Sequence, residues 1–492
     1  MKKYRKLSAF LLALTLCISL SACGSTESSD TASDVSSTTS ITTEAETTTE
    51  TNDHTDNDRP GDPPDGDRPD APPDNNGRGP GGGGPGGSGS ADIDYKSAVE
   101  ITSSDSQSGQ TYNSSTADES ALLISTSDEV TITDPTVTKT GDSDGGDNCN
   151  FYGLNAAVLV KDGSNTTITG GTITSDADGA NGVFCYGGNG GQNGAAGDGT
   201  TLTIRDTVIK TTGDGSGGIM TTGGGITYAY DLDVDTSGQS SAAIRTDRGG
   251  GTVYVDGGTY TSNGLGSPAI YSTAEIHVEN ADLTSNLSEG VCIEGKNSIE
   301  LTNCNMTANN TKCNGNATFY DTIMIYQSMS GDADSGTSSF TMTGGTLTSK
   351  NGHVFHVTNT NAVIDLKGVT IKNEDSENIL LSVCADGWSG AGNIATLNAD
   401  GQELSGIIKV GSDSELTLNL TNDSTFTGSI DGSITNAKGT SVSTEVGTVA
   451  VKLDSTSKWT LTADTYITSF DGDVSNIITN GYTLYVNGTA LT

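Results

Sequence analysis

From about residue 95 onward the hydrophobic positions fall in short alternating runs, polar–apolar–polar, never at the i, i+3, i+4 spacing of an amphipathic helix. Four stretches make the pattern plain: "TTITGGTITSDADGANGVFCYGG" (166 to 188), "TVYVDGGTYTSNGLGSPAIYS" (252 to 272), "EIHVENADLTSNLSEGVCIEG" (275 to 295) and "FTMTGGTLTSKNGHVFHV" (340 to 357). Each reads as a strand, a tight Gly-Gly or Asn turn, a second strand, a polar turn and a third strand. Self-similarity at this period is the mark of a coil whose open face only the next coil can cover.

The third strand supplies a ladder that can be counted. Val158, Val183, Ile219, Ile244, Ile270, Ile293, Ile325, Val357 and Val383 succeed one another at 25, 36, 25, 26, 23, 32, 32 and 26 residues. A preceding ladder, Val255, Val278 and Leu301, repeats at 23. β-Branched residues and Thr alternate along the runs, and Gly and Asn stand where a corner needs positive φ. The fold class this predicts is all-β: a right-handed parallel β-helix solenoid preceded by a disordered linker. An all-β sandwich competes, but the fixed repeat and the lack of two-residue hairpin turns count against it.

The N-terminal end has a different pattern. "MKKYRKLSAFLLALTLCISLSAC" carries a basic start, an apolar stretch and a small-residue cleavage site, the order of a secretion signal. Leu20-Ser21-Ala22-Cys23 resembles the bacterial lipobox, which implies cleavage before Cys23 and lipidation of its thiol; ordinary secretion with an incidental Cys is the alternative. From residue 24 to about 90 large apolar side chains are almost lacking, so the segment cannot offset its ordering entropy. A flexible stalk of this length spans about 45 Å on average and ~200 Å at full reach. The expected organisation is a lipoprotein signal peptide (1–22), a Ser/Thr/Asp/Pro/Gly stalk (23–90), a parallel β-helix (91–397) and C-terminal coils with a cap (398–492). The protein is expected at the cell surface, on the extracellular face of the cytoplasmic membrane, held by lipid alone and monomeric. With 23 Lys and Arg against 62 Asp and Glu, a net charge of −39, nucleic acid and anionic lipid are poor partners.

The runs "TITGGTITS", "DGGTYTSNG" and "MTGGTLTSKNG" resemble the right-handed β-helix of the pectin-lyase-like superfamily. More narrowly, they are similar to surface β-helix proteins of Firmicutes labelled adhesins or carbohydrate-binding proteins. The resemblance covers roughly residues 95 to 492 and implies a fold more sharply than a function, because one solenoid carries lyases, hydrolases and adhesins. "ELSGIIKVGSDSELTLNLTNDSTFTGSIDGSI" and "SKWTLTADTYITSF" are similar to the last coils of autotransporter passengers.

If Ile244 faces inward, Arg245 and Asp247 of "AAIRTDRGGG" face outward. The same offsets on other coils give Phe184 and Tyr186, Met220 and Thr222, Tyr271 and Thr273, Glu294 and Lys296, Tyr326 and Ser328: a shallow exposed strip. Coils stack about 4.8 Å apart, so Tyr271 and Tyr326 stand roughly 10 Å from each other along the axis, comparable to a disaccharide. The strip is a candidate ligand-binding surface for a polysaccharide or host glycan, with Phe184, Tyr186, Arg245, Asp247, Tyr271, Glu294, Lys296 and Tyr326 as contacts. Cross-strand pairing that binds nothing is the equal alternative. Strip binding predicts that Arg245→Ala and Tyr271→Ala weaken glycan retention and leave the melting temperature nearly unchanged.

Two further functions stay open: a polysaccharide lyase or hydrolase, and a passive cell-wall spacer. For hydrolysis, Asp247 and Glu294 lie two coils apart, near 10 Å, at or past the limit for a carboxyl pair. His353 and His356 in "KNGHVFHV" are poor partners by alternation, one facing in and one out. No catalytic residue is assigned and no cofactor is required. Asp142, Asp144 and Asp147 in "TGDSDGGDN" resemble half of an acidic calcium loop, without the closing Glu. Of six remaining cysteines, Cys149 with Cys185 and Cys304 with Cys313 are the pairs to test for disulfides; most are expected to be small core residues. Insertions at 187 to 200 and 309 to 321 flank the strip as candidate walls.

Overall fold

The computed structural model describes residues 93–190, 196–388 and 392–491. The expected signal peptide (1–22), Cys23 and the expected stalk (23–90) lie outside the described residues. Within them the chain winds into three long, wholly parallel sheets: sheet A of 15 strands, from Lys96–Ile101 to Ile477–Ile478; sheet B of 14, from Asp105–Ser108 to Ser469–Asp471; and sheet C of 10, from Thr111–Ser114 to Thr370–Asn373. One coil visits them in the order B, C, A, as in Gly251–Asp256, Thr259–Ser262 and Ile270–Ser272. The expected parallel β-helix is therefore what forms.

Each strand buries alternate residues on one continuous apolar core and turns the others outward. Thr259–Ser262 buries Tyr260 and Ser262 and leaves Thr259 exposed. The B-to-C corner holds at least one residue of positive φ per coil, among them Asp206 (54°), Asp231 (49°), Gly257 (78°), Asn280 (55°) and Asn303 (53°). Gly, Asn and Asp are the residues that enter this region at least cost. The corner stacks by backbone bonds: Asp231 N donates to Asp256 O at 3.1 Å, Gly257 N to Glu279 O at 2.9 Å and Asn280 N to Thr302 O at 3.0 Å. At the next residue, Gly258 (φ 93°), a Cβ would stand 2.4 Å from the backbone oxygen of Leu232, so that coil can use nothing larger there.

Two departures matter. The inward ladder of sheet A slips by two residues: Ile270 pairs with Val291, not Ile293, and Ile293 continues instead from Ser272 to Ile325, Val357 and Val383. That strand carries two inward apolar residues, so the pattern tolerates either register; the turn before it closes a coil two residues shorter than counted. Sheet C ends at Thr370–Asn373, and from Asn393–Asp400 onward each coil has only two long strands. No disulfide joins the six described cysteines, five of which are buried, with Cys304 Sγ donating to Val278 O at 3.3 Å in the core and Cys185 Sγ to Ile226 O at 3.5 Å. They fill small core positions and form no cross-link.

Candidate functional site

The outward column of sheet A runs in register Leu123, Leu159, Phe184, Met220, Arg245, Tyr271, Cys292, Met324, His356, Ser382 and Lys409. Most of it is not an open strip, because a roof crosses it. Helix α1 (Asp147–Tyr152) packs Phe151 and Tyr152 on Leu123, Leu159, Phe184, Tyr186 and Met220, a small apolar cluster separate from the main core. Thr222 Oγ1 donates to Phe151 O at 2.7 Å, and Gly153 ends the helix at φ 77°, where a Cβ would meet Leu159 at 2.7 Å and Phe184 at 2.9 Å. Farther along, Ala317 and Trp388 pack on Cys292, Met324 and Tyr326. Phe184, Tyr186, Arg245, Asp247, Glu294 and Tyr326 are consequently buried, Tyr271 is half-buried, and only Lys296 is exposed.

Beneath the roof the charged residues serve one another. Arg245 Nη2 bonds Asp247 Oδ2 at 2.6 Å with both side chains under 5 % exposed; Nη1 donates to Ser240 O at 3.1 Å, and the guanidinium lies 5.4 Å from the Tyr271 ring. Arg248 pairs with Asp332 and lies over the Phe151 ring at 4.3 Å. Tyr271 and Tyr326 do not stand as parallel platforms: both hydroxyls donate to Glu294 Oε2, at 2.5 and 3.1 Å, and Ser328 donates to its other oxygen. The enclosed space among Asn150, Arg245, Asp247, Glu294 and Tyr326 is about 30 Å³, water-sized rather than sugar-sized.

A second buried polar cluster lies under the 309 to 321 insertion. His353 Nδ1 and His356 Nδ1 each stand 2.7 Å from Ser382 Oγ, and His356 Nε2 is 3.4 Å from Asp386 Oδ2. The two histidines thus share a partner, against the expectation from alternation, because the consecutive residues Val354 and Phe355 between them both belong to the main core, which breaks the two-residue parity within the strand. Burial pushes His353 down to about 3. Burial also raises the carboxyls of Glu289 and Asp321, with repulsion from Asp386 on both and from Glu289 on Asp321; Asp386 is held below the usual range by His356 and Thr318 against the cost of its burial. Ser382 and His356 are fully buried, so this Ser–His–Asp arrangement offers no face to a substrate.

In the acidic loop Asp142 and Asp144 are exposed, and Asp142 Oδ1 accepts from Asp178 N at 3.0 Å while Asp147 opens α1. Among the described residues no group of three or more His, Cys, Asp or Glu is placed to hold a metal ion.

The open surface lies one sheet away. A groove of about 640 Å³ follows the A-to-B corner, floored on five successive coils by Gly197, Gly224, Gly250, Ala274 and Asn297. Glu275 and Lys296 line it, as does Thr273, which is fully buried with its Oγ1 unpartnered. The Gly-rich insertion reaches it through Ala196 and Gly197; residues 191–195 lie outside the described residues. Its far bank is the outer face of sheet B, where Tyr228, Tyr254 and His277 stack in register with ring centroids 5.1 and 5.0 Å apart and planes within 10°. These three rings, with Tyr230, Asp256 and Glu279, line a second, smaller groove of about 240 Å³. Sequence reading passed over these aromatics although the inward ladder Val255, Val278, Leu301 placed Tyr254 and His277 one residue away, facing out.

The fold and these surfaces define a parallel β-helix with a roofed sheet, an open groove at the A-to-B corner and an aromatic stack on the outer face of sheet B. Neither a family model, nor a curated protein, nor a solved structure matches the chain. No helix among the described residues is long and apolar enough to cross a membrane.

Proposed function

We propose that this protein is a cell-surface β-helix, tethered by a lipid on Cys23, whose folded part holds an extended polysaccharide for adhesion. The reading rests on one observation: the groove along the A-to-B corner is open, polar and axial, spanning five coils, about 19 Å from first to last. A chain polymer matches a repeating surface of that direction. The backbone floor of Gly and Ala lets a sugar ring approach closely, while Glu275 and Lys296 offer groups for its hydroxyls. The Tyr228–Tyr254–His277 stack spends its ring faces on internal contacts and lines the neighbouring groove of sheet B rather than this one. Calcium at Asp142, Asp144 and Asp147 remains a separate proposal, without bearing on the groove.

The test is retention of the full chain on cellulose, xylan, pectin, mucin and peptidoglycan, with and without calcium, while new reducing ends are followed. Retention without new ends is expected. New ends or ultraviolet-absorbing unsaturated products would make the protein an enzyme, and retention by none of these would leave the wall-spacer reading.

A further inference from the structure

Sheet C stops in mid-molecule. Its last strand, Thr370–Asn373, pairs backward with Thr346–Ser349, and no strand follows it, although sheets A and B continue for several more coils. A parallel strand uses alternate residues for its two neighbours. Thr370 N donates back to Gly345 O at 3.0 Å and Glu374 N to Ser349 O at 2.8 Å, so Val369, Ile371 and Asn373 present their backbone groups forward. The Gln402 side chain satisfies the first of these as a strand would: its Oε1 accepts from Val369 N at 2.7 Å and its Nε2 donates to Val369 O at 2.8 Å. Beyond Val369 lies a groove of about 640 Å³, lined by Ile371, Lys372, Asn373, Asn378, Glu403 and Ser405. Ile371, whose nine counterparts in the column are fully buried, is here only half-buried.

We propose that this edge is a docking site for an extended peptide segment, which adds as an eleventh, parallel strand of sheet C. The column dictates its chemistry. Position two of the strands is always large and apolar, as in Val234, Tyr260, Leu283 and Leu347, and position four is mostly small and polar, as in Ser262, Ser285 and Ser349. Position three would face Lys372, which is exposed and held by no ion pair among the described residues. The same sheet already places Asp235 in register after Lys210. The occupant is therefore a segment of the form polar, large apolar, acidic, Ser or Thr. A second solenoid cannot stack there, because the continuing coils of sheets A and B occupy the axial direction; a free peptide can enter from the side. Backbone bonds supply affinity and the Ile371 contact and Lys372 pair supply choice.

The probe is a labelled peptide DLDVDTSG, the chain's own residues 231–238, titrated onto the full chain and read by fluorescence anisotropy. Saturable binding is expected, absent for a scrambled peptide and for one N-methylated on alternate residues. Lys372→Glu weakens it about five-fold, the scale of an exposed ion pair, and a peptide with Lys in place of the second-strand Asp, DLDVKTSG, restores binding to that variant. Ile371→Pro, tolerable on an edge strand, abolishes binding while circular dichroism stays unchanged. No saturable binding, or equal binding of the scrambled or N-methylated peptides, overturns the proposal.

Discussion

Arg245 shows how burial reverses a residue's meaning. Read as an exposed anchor, it was expected to be replaceable without thermal cost; in the fold it is 3 % exposed and bonded to an equally buried Asp247. Arg245→Ala strands that carboxylate, and breaking a buried pair costs about 3–5 kcal/mol. A thermal melt is expected to fall by several degrees; an unchanged melt would mean the pair is not closed. Titration divides by sign. His353 is held near 3 while its unfolded value is 6.5, so unfolding takes up a proton and stability falls as pH drops from about 6.5 toward 3. Asp321 has the opposite shift: its stability is full below the ordinary 3.8 and is lost as pH rises through its raised folded value. Asp321→Asn is therefore expected to raise the melting temperature at pH 7.5 and to leave it unchanged at pH 3.5. A melt that falls at pH 7.5 would show that the ionised carboxylate is stabilising. Alternation made the outward direction of Arg245, Tyr271 and Glu294 legible; their enclosure was not, since periodicity describes one strand and says nothing of a segment that crosses it from outside.

At the scale of elements, strands and corners were readable because each obeys a local rule: period two for the strands, and Gly, Asn or Asp where φ is positive. The two-residue slip at Val291 was not, because Val291 and Ile293 both face in and the sequence alone does not choose between them. The roof escaped for another reason. Helix α1 has six residues, too few to show a helical period, and its apolar pair Phe151 and Tyr152 reads equally well as part of a strand. Its hold on the solenoid is a handful of side chains. Phe151→Ala removes the ring against which Arg248 stacks and a large share of the apolar contact, a change of about 3–5 kcal/mol in a packed site. Faster hydrogen exchange confined to residues 147–152 and to the strands beneath is expected, with the distal coils protected as before. Uniform loss of protection along the solenoid would mean that the roof is part of the core.

At the scale of the whole molecule, open grooves lie on sheet B, at its corner with sheet A and at the end of sheet C, while Arg245 of the "AAIRTDRGGG" stretch is buried under the roof and Arg248, half-buried, is paired with Asp332. Lys296, the cation in the large groove, is bonded to Asp334 at 2.8 Å, while Glu275, Asp256 and Glu279 face the two grooves. Together with a net charge of −39 this disfavours anionic chains. Polygalacturonate is expected to bind more weakly than a neutral glucan, and the gap to narrow as salt screens the field. Stronger uronate binding would point to Arg205, which lies over the Tyr230 ring at 4.4 Å. The most direct measurement is the affinity of the best-retained glycan for Thr252→Trp, a substitution on the outward column of sheet B that fills the large groove without touching the roofed strip. The open-groove account predicts a loss of at least about ten-fold, ~1.4 kcal/mol, with an unchanged melting temperature; wild-type affinity in that variant would contradict it.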